Sequence, residues 1–269
     1  ILNLFFVIVL HMAAAGVATA TAIAQYVSAG LILIHLLRRK DECRVSLKDI
    51  RFHRHAAISI LMLGIPAGIQ NAIFAIANLF VQTGVNSFDT VMVSGSTAAT
   101  NADTLIFNVM YAFYTGCSSF MSQNYGARNK ERVTKTLKHC VAYAVSIMAV
   151  GLLLFQLFPK QLLSMFQASD TMLSIGVPAL RIISLSFLLA GFGISCSSIF
   201  QALGKAVYSM CISIARQLVI LLPAAYLLAQ SGNVNLVWWA FPIAELVSVC
   251  ATAFFLMKIN RTIVSKIGQ

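Results

Sequence analysis

Four charged side chains interrupt long apolar stretches of this sequence, and they are the first candidates for chemistry. Asp103 and Glu245 are acidic, and Arg181 and Arg216 are basic. A charge inside an apolar segment is costly unless it faces a water-filled cavity or a partner, and such groups are often functional. We therefore predict that Asp103 and Glu245 couple cation or proton binding to function. The two arginines either line a cavity or neutralise these acids.

Amide side chains form a second polar group, because one apolar stretch carries several of them within thirteen residues. Spacings of four, seven and eight residues place amides near one face of a helix. Such a stripe lines a cavity or bonds to neighbouring helices. A further amide ends a later apolar stretch. The amides that we predict to line a cavity are Gln70, Asn71, Asn78, Gln82 and Gln201.

The elements that position these residues are long apolar helices. Of the 269 residues, 59% are hydrophobic and 10% are charged, and the mean hydropathy is +0.85. Soluble domains carry about 25% charged residues. A spanning helix needs roughly 20 apolar residues, and seven runs meet that length. The low charge and the seven apolar runs predict an all-α polytopic membrane protein. Its predicted spans, which follow a partial helix at 1–11, lie at 12–37, 55–83, 91–121, 133–158, 172–201, 206–230 and 235–258.

The net charge of +11 is distributed as a topology signal. The loops at 38–54, 84–90, 122–138, 159–171, 202–205 and 231–234 and the tail from Lys258 onward hold 7, 0, 5, 1, 1, 0 and 3 Lys or Arg residues. Basic loops stay in the cytoplasm. The sequence therefore predicts a cytoplasmic C-terminus and contact with anionic membrane lipid, and it argues against nucleic acid as a partner.

The loop at 38–54 is the one sizeable linker, and it is strongly basic. Ser46 and Asp49 have the spacing of a helix cap. Apolar and basic residues interleave after Ser46, which is typical of an amphipathic helix lying on the membrane surface. A plain basic loop explains the composition equally well, so both interpretations stay open.

Cysteine and histidine give no pattern for catalysis or metal binding. The five histidines form no HExxH pair, and the six cysteines form no CxxC motif. Catalytic and zinc sites need such clusters. We therefore expect no enzyme activity, no catalytic residue, no metal site and no cofactor beyond a coupling ion.

Four segments together resemble the C-terminal half of the multidrug and toxic compound extrusion (MATE) family. They are GIPAGIQ at Gly64–Gln70, SQNYGARNKERV at Ser122–Val133, QALGK at Gln201–Lys205 and VWWAFPIAE at Val237–Glu245. Their order and spacing carry the resemblance, which covers nearly the whole chain. The most specific string gives a structural motif in a cytoplasmic loop, formed by Gln123, Asn124, Gly126, Ala127 and Arg132.

The resemblance implies a twelve-helix transporter with two six-helix lobes and a substrate cavity between them, as in other repeat-built carriers. We then expect a fragment that lacks most of its N-terminal lobe, which would be its partner within the same protein. The predicted divisions are the end of the N-terminal lobe at 1–37, the cytoplasmic linker at 38–54, the C-terminal six-helix lobe at 55–258 and the cytoplasmic tail at 259–269.

The function that the resemblance implies is antiport at the cell membrane. Organic cations, drugs or metabolites would leave in exchange for protons or sodium. Some family branches carry coupling acids in the seventh and tenth helices, but this sequence has no Asp or Glu at 55–88 or 171–204. The coupling ion therefore stays open. The alternative is a flippase of lipid-linked saccharides or precursors, whose cavity should be strongly cationic.

Overall fold

The structure is a computed structural model that describes residues 2–9, 11–12, 14–40, 44–46, 51–86, 90–165 and 169–267. The chain divides into two compact units, Ile1–Ala57 and Ile58–Gln269. The first unit contains a short helix α1 (Leu2–Leu4), a π-helical segment (Phe5–Val9) and the long helix α2 (Ala14–Arg38). Our assignment of lobes to these parts of the chain stays a prediction.

The predicted surface helix in the linker falls mainly outside the described residues. The segments 41–43 and 47–50 lie outside them, including Asp49 of the predicted cap. The described parts of the linker, 44–46 and 51–53, are not helical. Within the first unit, the Val45 backbone N–H donates to the Leu36 carbonyl at 3.2 Å, so the chain folds back on the end of α2.

The remaining helices follow in chain order, and the first of them begins at the end of the first unit. They are α3 (Arg54–Val85), α4 (Thr90–Gly126), α5 (Lys130–Leu157), α6 (Pro159–Ser164), α7 (Asp170–Ser184), α8 (Phe187–Ala202), α9 (Ala206–Ile214), α10 (Leu222–Ala229), α11 (Val234–Val237) and α12 (Ala240–Thr262). A π-helical segment, Ala215–Leu221, joins α9 to α10. Every regular element in the described ranges is helical, which confirms the all-α prediction.

Helix length and composition support five or six of the seven predicted spans. In the described residues, five helical stretches are long and apolar enough to cross a membrane, and a bent pair raises the number to six. Helix α4 has 37 residues but is not among them. Its first half is rich in Ser, Thr and Asn, and these residues offset its apolar content.

The predicted continuous span at 172–201 is wrong, because the structure breaks it in two. Helices α7 and α8 meet at an angle of 53°. At the break, the backbone N–H groups of Leu185 and Ser186 reach back three residues instead of four. The Ser186 hydroxyl also donates to the Ile183 carbonyl at 2.6 Å. A serine hydroxyl that donates a hydrogen bond to a carbonyl of the preceding turn in this way bends the helix.

Helix α8 is the centre of the second unit. It packs against α4, α5, α9 and α12, and its residues from Ser195 to Phe200 are all buried. Small residues permit these close approaches. A Cβ atom at Gly191 would lie 2.9 Å from Met148 Cγ and 3.1 Å from the Ala144 carbonyl oxygen. Helix α8 is therefore the scaffold on which the site below is built.

Candidate functional site

Arg216 lies in the π-helical segment that joins α9 to α10. Pro223 follows this segment, and proline has no backbone N–H to complete an α-helical bond. A local π-helix accommodates such an interruption, and π-helical turns are frequent at functional sites. The structure places this disturbance upstream of Pro223, where it includes Arg216.

Arg216 forms a buried ion pair with Glu245 of α12. Its Nη1 donates a hydrogen bond to Glu245 Oε1. The side chains are 19% and 9% exposed, so both charges are largely withdrawn from solvent. The guanidinium also lies 5.8 Å from the ring centroid of Phe74 on α3, a cation–π contact. The pair is therefore held by three helical elements.

A small polar cavity lies beside the ion pair. Its volume is about 80 Å³. The two charges belong to its lining, so the net formal charge of its described walls is zero. Hydroxyls and an amide supply most of the other polar groups. The polar lining consists of Gln70, Tyr114, Ser197, Ser213, Arg216, Glu245 and Ser248.

Two of the predicted amides meet at the edge of this cavity. Gln201 Nε2 of α8 donates to Gln70 Oε1 of α3 at 3.0 Å. Both side chains are partly buried, and Gln70 lines the cavity. The bond links α3 to the central helix. The roles predicted for both residues in function stay predictions.

The other three amides of α3 do not share the face of Gln70. Asn71 and Asn78 are exposed, and Gln82 Nε2 donates to Asn86 Oδ1 at 2.9 Å. Successive helical residues are turned by about 100°. Gln70 therefore lies on the same face of α3 as the buried Ile73, whereas its neighbour Asn71 does not. The prediction that these three amides line a cavity stays a prediction.

Asp103 and Arg181 are not brought together. Arg181 is exposed near the end of α7, and its carbonyl accepts a bond from Gln156 Nε2. The Oδ1 atom of Asp103 is buried and has no hydrogen-bond partner among the described residues. Asp103 is not one of the residues that line the cavity of the ion pair. Its role as a coupling acid stays a prediction.

Sequence reasoning missed most of the uncharged cavity wall. Tyr114 and three serines were not singled out, although a signal was present. Gly193, Ser197 and Gln201 are spaced by four residues on one side of α8. Ser213 and Ser248 each lie three residues from a member of the ion pair. The missing information was which of these helix faces meet.

The Gln123–Arg132 string forms the reversal between α4 and α5. Asn124 Nδ2 donates to Thr136 Oγ1 at 3.1 Å, which ties the two helices together. Asn129 caps α5 by accepting from the Arg132 backbone N–H at 3.0 Å. Gln123, Gly126, Ala127 and Arg132 are exposed at this turn. The contacts are those of a structural turn.

No group of three or more His, Cys, Asp or Glu residues suited to a metal ion occurs in the described part of the chain. The described site instead brings together an ion pair, hydroxyls and an amide.

Several helices long and apolar enough to cross a membrane, with a buried ion pair beside a polar cavity among them, define a multi-pass integral membrane protein with an internal polar site. A family model described as MatE matches residues 66–227, which is more than half of the chain. The chain belongs to the MatE family. This membership confirms the resemblance found in the sequence.

Curated relatives extend well beyond the part of them that matches this chain. Multidrug export protein MepA of Staphylococcus saprophyticus is 21% identical over 242 residues, covering 90% of this chain and 53% of the relative. A probable multidrug resistance protein, NorM of Thermotoga maritima, is 22% identical over 258 residues, covering 91% and 53%. The chain therefore spans about half the length of the curated relatives it matches.

Solved structures share the fold. An outward-facing multidrug resistance MATE family transporter of the MOP superfamily matches with a TM-score of 0.88 and 24% identity, covering 98% of this chain and 60% of that one. A MOP superfamily transporter from Pyrococcus furiosus, described as having a binding pocket of reverse polarity, matches with a TM-score of 0.89, 23% identity and the same coverage.

Proposed function

We propose that this chain is part of a secondary active antiporter that exports organic cations, drugs or metabolites in exchange for protons or sodium. Family membership and the names of the relatives support the transport of small molecules. The observation that carries the coupling proposal is the buried Arg216–Glu245 pair in a polar cavity. A proton or sodium ion at Glu245 competes with Arg216 for the same carboxylate.

The exchange follows from the charge of the cavity. While Glu245 is ionised and paired, the described wall is neutral, and a cationic substrate meets no net repulsion. When Glu245 takes up a proton, Arg216 loses its counter-charge and the wall becomes positive. Two like charges about 7 Å apart at an effective dielectric constant of 20 repel by about 2.4 kcal/mol. That is roughly a 50-fold loss of substrate affinity, which expels the cation on the side where the proton binds.

The remaining parts of the proposal concern the whole transporter. A second six-helix lobe completes the substrate cavity, and the protein lies in the cell membrane with its C-terminus in the cytoplasm. The excess of basic residues at the α4–α5 turn and in the tail supports this orientation. Asp103 is a second coupling candidate, because its buried Oδ1 has no partner among the described residues.

The flippase alternative receives less support. A pyrophosphate group needs several unpaired cations in its binding site. Arg216 is a cation in the described cavity wall, but Glu245 neutralises it. Arg181, the other arginine within the predicted spans, is exposed near the end of α7.

The proposal is tested by uptake into everted membrane vesicles from cells expressing the complete reading frame. A fluorescent organic cation is added after a proton gradient or a sodium gradient has been imposed. We compare the wild type with Glu245→Gln and Asp103→Asn. We expect uptake driven by one of the two gradients and lost in Glu245→Gln.

Two outcomes contradict parts of the proposal. Gradient-driven uptake that survives both substitutions places the coupling site outside this part of the transporter. No uptake with either gradient contradicts antiport of organic cations. An Asp170→Asn variant, which makes the same acid-to-amide change at an exposed residue outside the cavity lining, serves as the control, and its amount in the membrane is matched by immunoblot.

A further inference from the structure

Basic side chains from two distant parts of the sequence gather at one end of the second unit. We name this set the basic rim, and its members come from the start of α5, the turn before it and the end of the chain. The basic rim consists of Arg128, Lys130, Arg132, Lys135, Lys138, Lys258, Arg261 and Lys266. All eight residues are exposed.

A direct contact joins the two parts of the basic rim. Lys130 Nζ donates to the Ser265 carbonyl oxygen at 2.9 Å. Beneath this bond lies a short 3-10 helix, Val264–Lys266, which we call the C-terminal turn. Its Val264 and Val133 of α5 are 2% and 0% exposed and belong to one apolar cluster. The C-terminal turn is therefore packed against α5, and the basic rim is a defined surface of the fold.

The charges of the basic rim are poorly compensated. Glu131 is the one acidic residue of the sequence between 104 and 169, and none follows Glu245. Glu131 pairs with Lys135 at 2.7 Å. Among the described residues, Arg128, Arg132, Arg261 and Lys266 form no ion pair. The surface therefore carries a large positive excess.

The position of the basic rim along the helices matches the level of lipid headgroups. Lys258 Nζ lies 5.7 Å from the ring centroid of Tyr208, which stacks on Phe255 at 4.8 Å. Tyrosine with a neighbouring lysine is typical of the membrane–water interface. Buried apolar packing resumes within α5 at Cys140, two residues after Lys138. The basic rim thus lies where an apolar span emerges from the membrane.

We propose that the basic rim binds the phosphate headgroups of anionic phospholipids. A flat layer of phosphates fits a cluster of exposed and mostly unpaired cations at one end of the helices, and each Lys or Arg near an anionic membrane surface adds to the attraction. Arginine forks suit phosphate oxygens in particular. The surface is separate from the ion-pair cavity, and the inference does not depend on the transported substrate.

The experiment measures lipid binding to the purified full-length protein by native mass spectrometry. The probes are phosphatidylglycerol and phosphatidylcholine with identical acyl chains. The test variant combines Arg128→Gln, Arg132→Gln, Arg261→Gln and Lys266→Gln, which leaves the Lys130–Ser265 bond in place. The matched control replaces the same three arginines by lysine and keeps Lys266. A second control is Lys160→Gln, which removes one charge from the turn after α5.

We expect the wild type and both controls to bind phosphatidylglycerol at least about tenfold more tightly than phosphatidylcholine, and added salt should weaken the difference. Each removed charge should weaken the affinity for phosphatidylglycerol roughly fivefold. The variant with four glutamine substitutions should therefore lose this preference altogether. Unchanged thermal unfolding of the variant shows that it folds. A variant that folds and keeps the preference, or a wild type with none, overturns the proposal.

Discussion

Arg216 and Glu245 are 29 positions apart in the sequence, and Arg216 Nη1 donates to Glu245 Oε1 between the π-helical segment and α12. Each residue is a charge within an apolar helix, and each would be costly alone. The two residues, predicted separately from the sequence, therefore form one site. Because the ion pair lies beside the polar cavity, the same two side chains stabilise the fold and carry the proposed exchange of cations.

The first prediction concerns the stability of this pair. Arg216→Met leaves Glu245 buried without its counter-charge, and we expect it to lower the free energy of unfolding by about 3–5 kcal/mol. The double variant Arg216→Met with Glu245→Leu removes both charges and should recover most of this loss. Thermal unfolding in detergent measures both variants. A double variant that is less stable than the single one contradicts this account.

Two glycines of α8 give a matched comparison of packing. Gly191→Ala places a Cβ atom 3.1 Å from the Ala144 carbonyl oxygen, so α5 must shift. Gly193→Ala meets only Ser248 Oγ, at 3.9 Å. Overpacking costs about 1–3 kcal/mol. We expect thermal unfolding to show Gly191→Ala destabilised and Gly193→Ala at or above the wild type. Equal effects would show that α8 does not pack as described.

Asp103→Asn tests whether the buried carboxylate is retained for function. Because the Oδ1 atom has no hydrogen-bond partner among the described residues, removing its charge should not lower stability. We expect an unfolding temperature equal to or above that of the wild type, together with reduced gradient-driven uptake. A fall of several degrees would instead reveal a structural partner for Asp103.

The Gln70–Gln201 bond should stabilise the attachment of α3 to α8. A double-mutant cycle with Gln70→Leu and Gln201→Leu measures their interaction without the effect of each substitution alone. We expect a coupling energy of about 0.5–1.5 kcal/mol from thermal unfolding. A cycle on Asn71 and Gln201 is the control, because Asn71 is exposed, and its coupling should be close to zero.

The sequence predicts where the helices lie better than which faces meet. Hydropathy places α3 at 55–83, and the structure has Arg54–Val85, because apolar length is a local property. The break at Leu185 and Ser186 depends on a serine hydroxyl competing for a carbonyl, and no loss of hydropathy marks it. The pairing of Arg216 with Glu245 depends on the packing of two helices, which spacing along the chain does not encode.

The most direct test of the central claim follows proton movement caused by the substrate. Everted vesicles containing the full-length protein are acidified inside, and a pH-sensitive dye reports the gradient when an organic cation is added. The account predicts that adding the cation collapses the gradient in vesicles with the wild type but not in vesicles with Glu245→Gln. A sodium gradient is tested in the same way with a sodium-sensitive dye. Exchange at the Arg216–Glu245 site is contradicted if the gradient collapses at the wild-type rate in the Glu245→Gln vesicles, or if the cation enters without movement of protons or sodium.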